Sequence, residues 1–246
     1  MVQRATIESR PLLTSTQCEI ARNSVTELKS LWRTHNYNKN KTGNHIPHPF
    51  YTLGVPSYLG ATNHDKEKHY YEVARELNPV MMQKFQWLYE IVMGAVSHMF
   101  QEPVRFTEDL AIPGFHIFPT QKGVHYPSIG MHLDLQFKLH QWKDKKGIDF
   151  KNPLSFTLPF SLSETGGGLN ICDRPIGQMM FMSDSERQKT FDEETRYIPY
   201  ALGELVVHRG LWFHEVAERQ SEHSDSDRIT LQGHGLRDRD GWTLYW

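Results

Sequence analysis

A chain of 246 residues can bury one sizeable core, in one barrel or sandwich domain or at most two small ones. Its formal charge of −2 and ordinary mix of 38% hydrophobic and 23% charged residues provide no field for nucleic acid or an anionic membrane. Two widely separated cysteines, Cys18 and Cys172, argue against a disulfide scaffold and a thiolate zinc site. The start, MVQRATIESRPLL, lacks the apolar stretch of a signal peptide, and no run approaches the ~18 apolar residues of a membrane span. A protein of the reducing cytoplasm is expected.

The first hundred residues read as helices and loops. Thr16 and Glu19 form a candidate capping box ahead of IARNSVTELKSLW, whose Ile20, Val25, Leu28 and Leu31 make an apolar face. A polar stretch from His35 to about Asn63 reads as loop. A second helix is expected from near Asp65 to Leu77. A third begins at Pro79, where a missing N–H is harmless in a first turn. Met81, Phe85, Leu88, Val92, Ala95 and Met99 recur at steps of three and four, a stripe facing a core.

From Phe106 the texture changes to short runs: GFHIF, GMHLDLQF, LSFTLPFSL, GGLNIC, QMMFM, GELVVH, WFHEVA and RITLQGHG. Gly, Pro, Asp and Ser separate them, as between short strands. Helices first and many short strands afterwards predict a single α+β domain. Residues 1–104 would be a mainly helical buttress, and residues 105–246 a β-sandwich or jelly-roll core. The charged stretches Ser183 to Arg196 and Glu218 to Asp227 read as surface loops or lids.

Fourteen histidines are many for this length, and their positions must decide what they do. In GMHLDLQF, strand alternation points His132 and Asp134 to one side, with Leu133 facing away. A histidine, a carboxylate and a second, distant histidine form a facial triad, which leaves three coordination positions of an octahedral iron open. The spacing alone discriminates poorly, because His223 and Asp225 repeat it inside the polar run ERQSEHSDSDR. Downstream, GELVVH turns at Arg209 and Gly210, and a new apolar run carries His214. Arg228 follows fourteen residues later, with Thr230 on the same face of its strand. A buried arginine beside a metal needs an anion, and a carboxylate is its best geometric match.

The ordered set HLD, GELVVHRGLWFHEV and RIT resembles the Fe(II)- and 2-oxoglutarate-dependent dioxygenases, over about Gly114 to Gly235. That resemblance implies a distorted double-stranded β-helix of the jelly-roll kind, buttressed here by the N-terminal helices. It implies that His132, Asp134 and His214 bind iron. Arg228 and Thr230 would contact the far carboxylate of 2-oxoglutarate, and O2 would be the oxidant. ETGGGLNI looks like the Gly-rich strand start often found between the two halves of the motif. His208 competes with His214 for the third ligand position, but His214 fits the motif order better.

His116, interrupting GFHIF, is either a satisfied core histidine, the commoner case, or a contact to 2-oxoglutarate or substrate. His125 and His140 flank the HLD strand, as supports behind the ligands or as loop residues, His234 is a candidate neighbour of the site, and Phe115, Phe118, Phe137, Trp212 and Phe213 would exclude water from it. The implied reaction is hydroxylation of an unactivated C–H bond in a small molecule, such as an amino acid or biosynthetic intermediate. A carboxylate ligand at Asp134 disfavours halogenation. The competing readings are a metal cupin-like enzyme that does without 2-oxoglutarate and a non-catalytic metal-binding jelly-roll protein.

Overall fold

The computed structural model describes residues 4–35, 50–60, 64–119, 125–126, 130–142, 147–162, 165–220 and 227–246. The second His-x-Asp pair, His223 and Asp225, lies outside the described residues. In chain order the N-terminal part comprises β1 (Ile7–Pro11), α1 (Ser15–Glu27), β2 (Arg33–His35), β3 (Phe50–Leu53), α2 (Ser57–Gly60) and α3 (His64–Phe100). Then come β4 (Val104–Arg105), β5 (Gly114–Phe118), β6 (His125–Tyr126), β7 (Leu154–Ser161), β8 (Thr165–Gly166) and β9 (Leu169–Cys172). After α4 (Ile176–Met179) and α5 (Asp184–Glu194) follow β10 (Thr195–Ile198), β11 (Glu204–Arg209), β12 (His214–Val216), β13 (Arg219–Gln220), β14 (Arg228–Asp238) and β15 (Gly241–Tyr245).

The strands assemble into a nine-stranded sheet, whose main path is β1-β11-β7-β14-β5-β3-β2, and two three-stranded sheets, β10-β9-β12 and β6-β13-β8. The backbone of His132 adds a single antiparallel bridge to His214, at the edge of the β10-β9-β12 sheet. From β5 onward the chain visits the large sheet and this small sheet in alternation. Residues from both are thereby brought together repeatedly.

Strict alternation gives the large sheet two different faces. Phe115, Ile117, Leu154, Phe156, Leu158, Phe160, Leu205, Val207, Ile229 and Leu231 share one core with α1 and α3. The residues between them, including His116, Ser155, Thr157, His208, Arg228, Thr230 and His234, lie on the opposite face. From α3, Met81, Phe85, Leu88, Tyr89, Val92 and Val96 enter the core, so the stripe read from sequence is the packing face. Phe115 belongs to this helix-facing core, away from the predicted site.

Several local expectations are corrected. The cap of α1 is Thr14, whose side chain accepts from the backbone N–H of Gln17 while the Gln17 side chain accepts from the Thr14 N–H. The helix therefore starts earlier than Thr16 predicts, and buries Cys18, Ala21 and Val25 while Ile20 is half exposed. The stretch expected to be loop from His35 contains β3, which pairs with β5. The two helices expected on either side of Pro79 form one element that kinks at Phe85. Burial of the α3 stripe outweighs the hydrogen bond that proline removes. Asn78 also ties the helix to the approach to β5, through Leu110 O at 2.8 Å and Ile112 N at 3.1 Å.

QMMFM forms no strand. It closes α4 and leaves Phe181 92% exposed. The charged Ser183 to Arg196 stretch is mostly α5, with a Ser183–Glu186 capping box, and α5 is followed by β10. No helix among the described residues is long and apolar enough to cross a membrane.

This packing separates two substitutions of apolar residues. Leu88→Ala should cost about 2–5 kcal/mol in chemical denaturation, whereas Phe181→Ala should stay within about 0.5 kcal/mol of the parent. Equal effects would contradict the assignment of α3 to the core.

Candidate metal centre

Backbone pairing places the first two candidate ligands side by side. His132 N donates to His214 O at 2.9 Å, and His214 N donates to His132 O at 3.0 Å. The two imidazole centroids lie 4.6 Å apart. Each Nδ1 sits 2.9 Å from the carbonyl oxygen two residues earlier, Gly130 O for His132 and Trp212 O for His214. A carbonyl can only accept, so Nδ1 carries the proton in both rings and the coordinating lone pair belongs to Nε2. Glycines stand where these turns need a positive φ: Gly130 at 85° and Gly210 at 90°.

Asp134 arrives differently from the sequence expectation. Pairing stops at His132, and the chain enters a short 3-10 turn over Gln136–Leu139, so no regular strand presents the pair. Even so, one ligand atom from each of His132, Asp134 and His214 lies within 4.8 Å of the others. The carboxylate is held from the large sheet. Ser155 donates its hydroxyl to Asp134 Oδ2, and Gln136 Nε2 donates to Oδ1 at 3.0 Å. His234 Nδ1 is 3.0 Å from Ser155 Oγ. Because the Ser155 proton goes to the carboxylate, His234 must be the donor in that contact. Asp134 thus joins the large sheet to the strand edge that carries both histidines.

Electrostatics suits a cation here. Burial alone would push the Asp134 carboxyl up, yet His214, His234 and His132 together hold it well below the usual carboxylate range. Burial would lower His214, but Asp134, 3.3 Å from its Nε2, outweighs that and raises it. A proton on this Nε2 occupies the direction a metal would take, so metal binding should release it.

A second group of buried polar residues lies farther along β14. Arg228 and Thr230 are both fully buried, on the face shared with His116 and Phe118 across β5. Arg228 Nη2 donates to Gly167 O at 3.2 Å, while its Nε and Nη1 and the Thr230 Oγ1 have no hydrogen-bond partner among the described residues. The Tyr200 ring lies 6.0 Å from the guanidinium. Burial pulls Arg228 below its ordinary value. Unmatched donors around a buried cation form a receptor for an anion.

The other histidines separate clearly. His234 is at the site, through Ser155. His208 is also beside it, 4.6 Å from the His214 ring between centroids, but stands outside the three-residue cluster. His116 neighbours Thr230 and is hydrogen-bonded to the Tyr58 hydroxyl. His140 is not at the metal cluster; it bonds Ser57 Oγ at 2.7 Å within an aromatic group of Tyr70, Tyr71, Trp142 and Tyr245. For His125 only the backbone, in β6, is described.

The expected aromatic shield divides in the same way. Phe118 lies 5.7 Å from Arg228, and Trp212 supplies the carbonyl for His214. Phe137 packs in a separate core, and Phe213 packs on Phe191 of α5. Sequence reading missed Ser155, Gln136, Tyr58 and Tyr200. Only Ser155 had a signal, as a polar residue in the alternation of LSFTLPFS.

Comparisons with solved structures bear on this geometry. AviO1 from Streptomyces viridochromogenes Tue57 aligns over 98% of this chain and 93% of its own, with a TM-score of 0.52 at 13% identity. An N-substituted L-amino acid dioxygenase from Burkholderia ambifaria AMMD, solved in complex with alpha-KG, aligns over 98% and 86%, with a TM-score of 0.52 at 12% identity. SnoK, a non-heme alpha-ketoglutarate-dependent carbocyclase from nogalamycin biosynthesis, aligns over 99% and 93%, with a TM-score of 0.50 at 10% identity. The chain shares their fold. No protein-family model matches it, and no curated protein does.

Two outcomes follow from the site. Removing the Ser155 hydroxyl frees the carboxylate it orients, so Ser155→Ala should weaken Co(II) binding about 10- to 100-fold in a spectroscopic titration. An unchanged affinity would mean that Asp134 needs no anchor.

The second outcome concerns pH. Burial holds His116 at about 3 and His140 at about 4, against about 6.5 in an unfolded chain. Their folded values are depressed, so their contribution is complete above pH 6.5. It is lost as pH falls toward 4, because only the unfolded chain takes up the protons. Each adds a slope of up to about 1.4 kcal/mol per pH unit in that window. His35, His208 and His234 act in the same sense, and His214 opposes them. Urea midpoints of the metal-free protein should therefore fall between pH 7 and 5, and a flat profile would contradict this burial.

Proposed function

We propose that this chain is an Fe(II)- and 2-oxoglutarate-dependent oxygenase, built as one domain on a double-stranded β-helix. The strand order supports that fold: β5, β7, β11 and β14 lie together in the large sheet, while His132, β9, β10 and β12 line up in the small one. The observation that carries the functional reading is the buried Arg228 guanidinium, whose Nε and Nη1, like the neighbouring Thr230 hydroxyl, have no hydrogen-bond partner among the described residues. A metal site alone does not account for it, whereas a dicarboxylate anchored on the metal does.

In this reading His132, Asp134 and His214 hold iron(II), Arg228 and Thr230 bind the distal carboxylate of 2-oxoglutarate, and Tyr200 and His116 lie beside them. Bound there, the metal with 2-oxoglutarate and O2 would supply the oxidising power to break an unactivated C–H bond. The protein's own tasks are positional. Gly130 and Trp212 fix the tautomers, and Ser155 with Gln136 orients the carboxylate. The donors of Arg228 and Thr230 would be matched once the distal carboxylate is bound, which fixes the ligand's orientation. A carboxylate ligand at Asp134 would take the position a halide needs, which favours hydroxylation over halogenation. A small-molecule substrate, such as an amino acid, agrees with the name of the Burkholderia ambifaria dioxygenase.

Anaerobic addition of 2-oxoglutarate to the Fe(II) protein should produce a visible metal-to-ligand charge-transfer band. Arg228→Ala should weaken 2-oxoglutarate binding by about tenfold to a hundredfold or more, the worth of charge-assisted hydrogen bonds. Absence of the band, or full affinity without Arg228, would defeat the cosubstrate assignment.

A further inference from the structure

Three imidazoles outside the triad face the same interior, and their hydrogen bonding differs. His234 is committed to Ser155 and His116 to Tyr58. His208 is 6% exposed, and its Nδ1 has no hydrogen-bond partner among the described residues. Any neutral imidazole has one N–H and one lone pair, and leaving these dry in a protein interior is unfavourable. The same condition at Arg228 and Thr230 marks a place for a ligand.

Position indicates which part of the ligand His208 would meet. On β11 it lies directly opposite Ser155 of β7, and Ser155 lies opposite His234 of β14. His208 therefore stands level with the groups that hold Asp134, and its ring centroid is 4.6 Å from that of His214. Arg228 is six residues from His234 along β14, at the other end of the polar face. In the oxygenase reading, 2-oxoglutarate with its far carboxylate on the Arg228 side chain carries its keto acid end to the metal held by His214, and His208 is the imidazole packed against that ring.

We propose that His208 is a cosubstrate-binding residue, donating a hydrogen bond to the C1 carboxylate of metal-bound 2-oxoglutarate. This rests on the oxygenase reading given above. It assigns His208 a role distinct from coordination, since the imidazole meets an oxygen carried by the metal. The ring would then restrain rotation of the keto acid end, as Arg228 restrains the other end.

The test uses the full chain and 2-oxoglutarate itself. Fe(II) affinity, 2-oxoglutarate affinity and the position of the charge-transfer band are measured anaerobically for the parent, His208→Leu and His208→Gln. The leucine variant should bind 2-oxoglutarate about five- to thirtyfold more weakly, with a displaced band, while Fe(II) affinity stays within about twofold. The glutamine variant keeps an N–H donor and should recover most of the affinity. It also serves if leucine disturbs folding.

Unchanged 2-oxoglutarate affinity and an unmoved band in both variants would overturn the proposal and leave the oxygenase reading intact. Loss of Fe(II) from both would overturn it by making His208 a ligand. A parent that binds Fe(II) but no 2-oxoglutarate would instead defeat the oxygenase reading, and this proposal with it.

Discussion

Two backbone carbonyls, those of Gly130 and Trp212, each take the Nδ1 proton of the histidine two residues later, and the site depends on that pairing. It selects the tautomer in which Nε2 coordinates, and the reciprocal backbone bridge between His132 and His214 sets the two rings side by side. Neither effect requires a metal to be present first. The imidazoles are preorganised by main chain, which is less adjustable than side chains, and Asp134 is brought to them from the opposite sheet by Ser155. A chain with the same three ligand types but no such carbonyls would have to order both rings on binding, at an entropic cost.

The large sheet makes this arrangement possible by its division into an apolar and a polar face. One side gives its Leu, Ile, Val and Phe residues to α1 and α3, so the helices carry the stability and the other face can hold polar groups. His208, Ser155 and His234 form a row across β11, β7 and β14 beside the candidate metal cluster, and Arg228 with Thr230 lies farther along the same polar face. Buried groups of this kind are costly unless paired. Some are paired within the chain, as Ser155 with Asp134. Others, notably Nε and Nη1 of Arg228, have no hydrogen-bond partner among the described residues.

Much of this was legible in the sequence because the alternation of β5, β7, β11 and β14 follows the simplest rule of strand packing. The triad was legible because its order along the chain adds information that His-x-Asp spacing lacks. The reasoning attached to that spacing was nevertheless incomplete: His132 makes one bridge, and Asp134 is placed by a turn and by Ser155. Partners of that kind come from strands far apart in sequence, and nothing local marks them. Tyr200 and Tyr58 were invisible for the same reason. The errors in the N-terminal half have a different origin. Thr14 and Thr16 offer nearly equal caps, and whether Ile20 or the stripe of Cys18, Ala21 and Val25 faces inward is decided by tertiary burial. Pro79 breaks a helix in isolation, whereas α3 is packed on both sides of it, through Tyr70, Val73 and Ala74 in one core and Met81 to Val96 in another.

The central claim is that these three residues form a metal centre, and anomalous diffraction from crystals loaded anaerobically with Fe(II) tests it most directly. The account predicts one strong peak within bonding distance of His132 Nε2, His214 Nε2 and an Asp134 oxygen, with both Nδ1 atoms still on the Gly130 and Trp212 carbonyls. A peak elsewhere, or an unchanged His214–Asp134 ion pair with no metal between them, would contradict it.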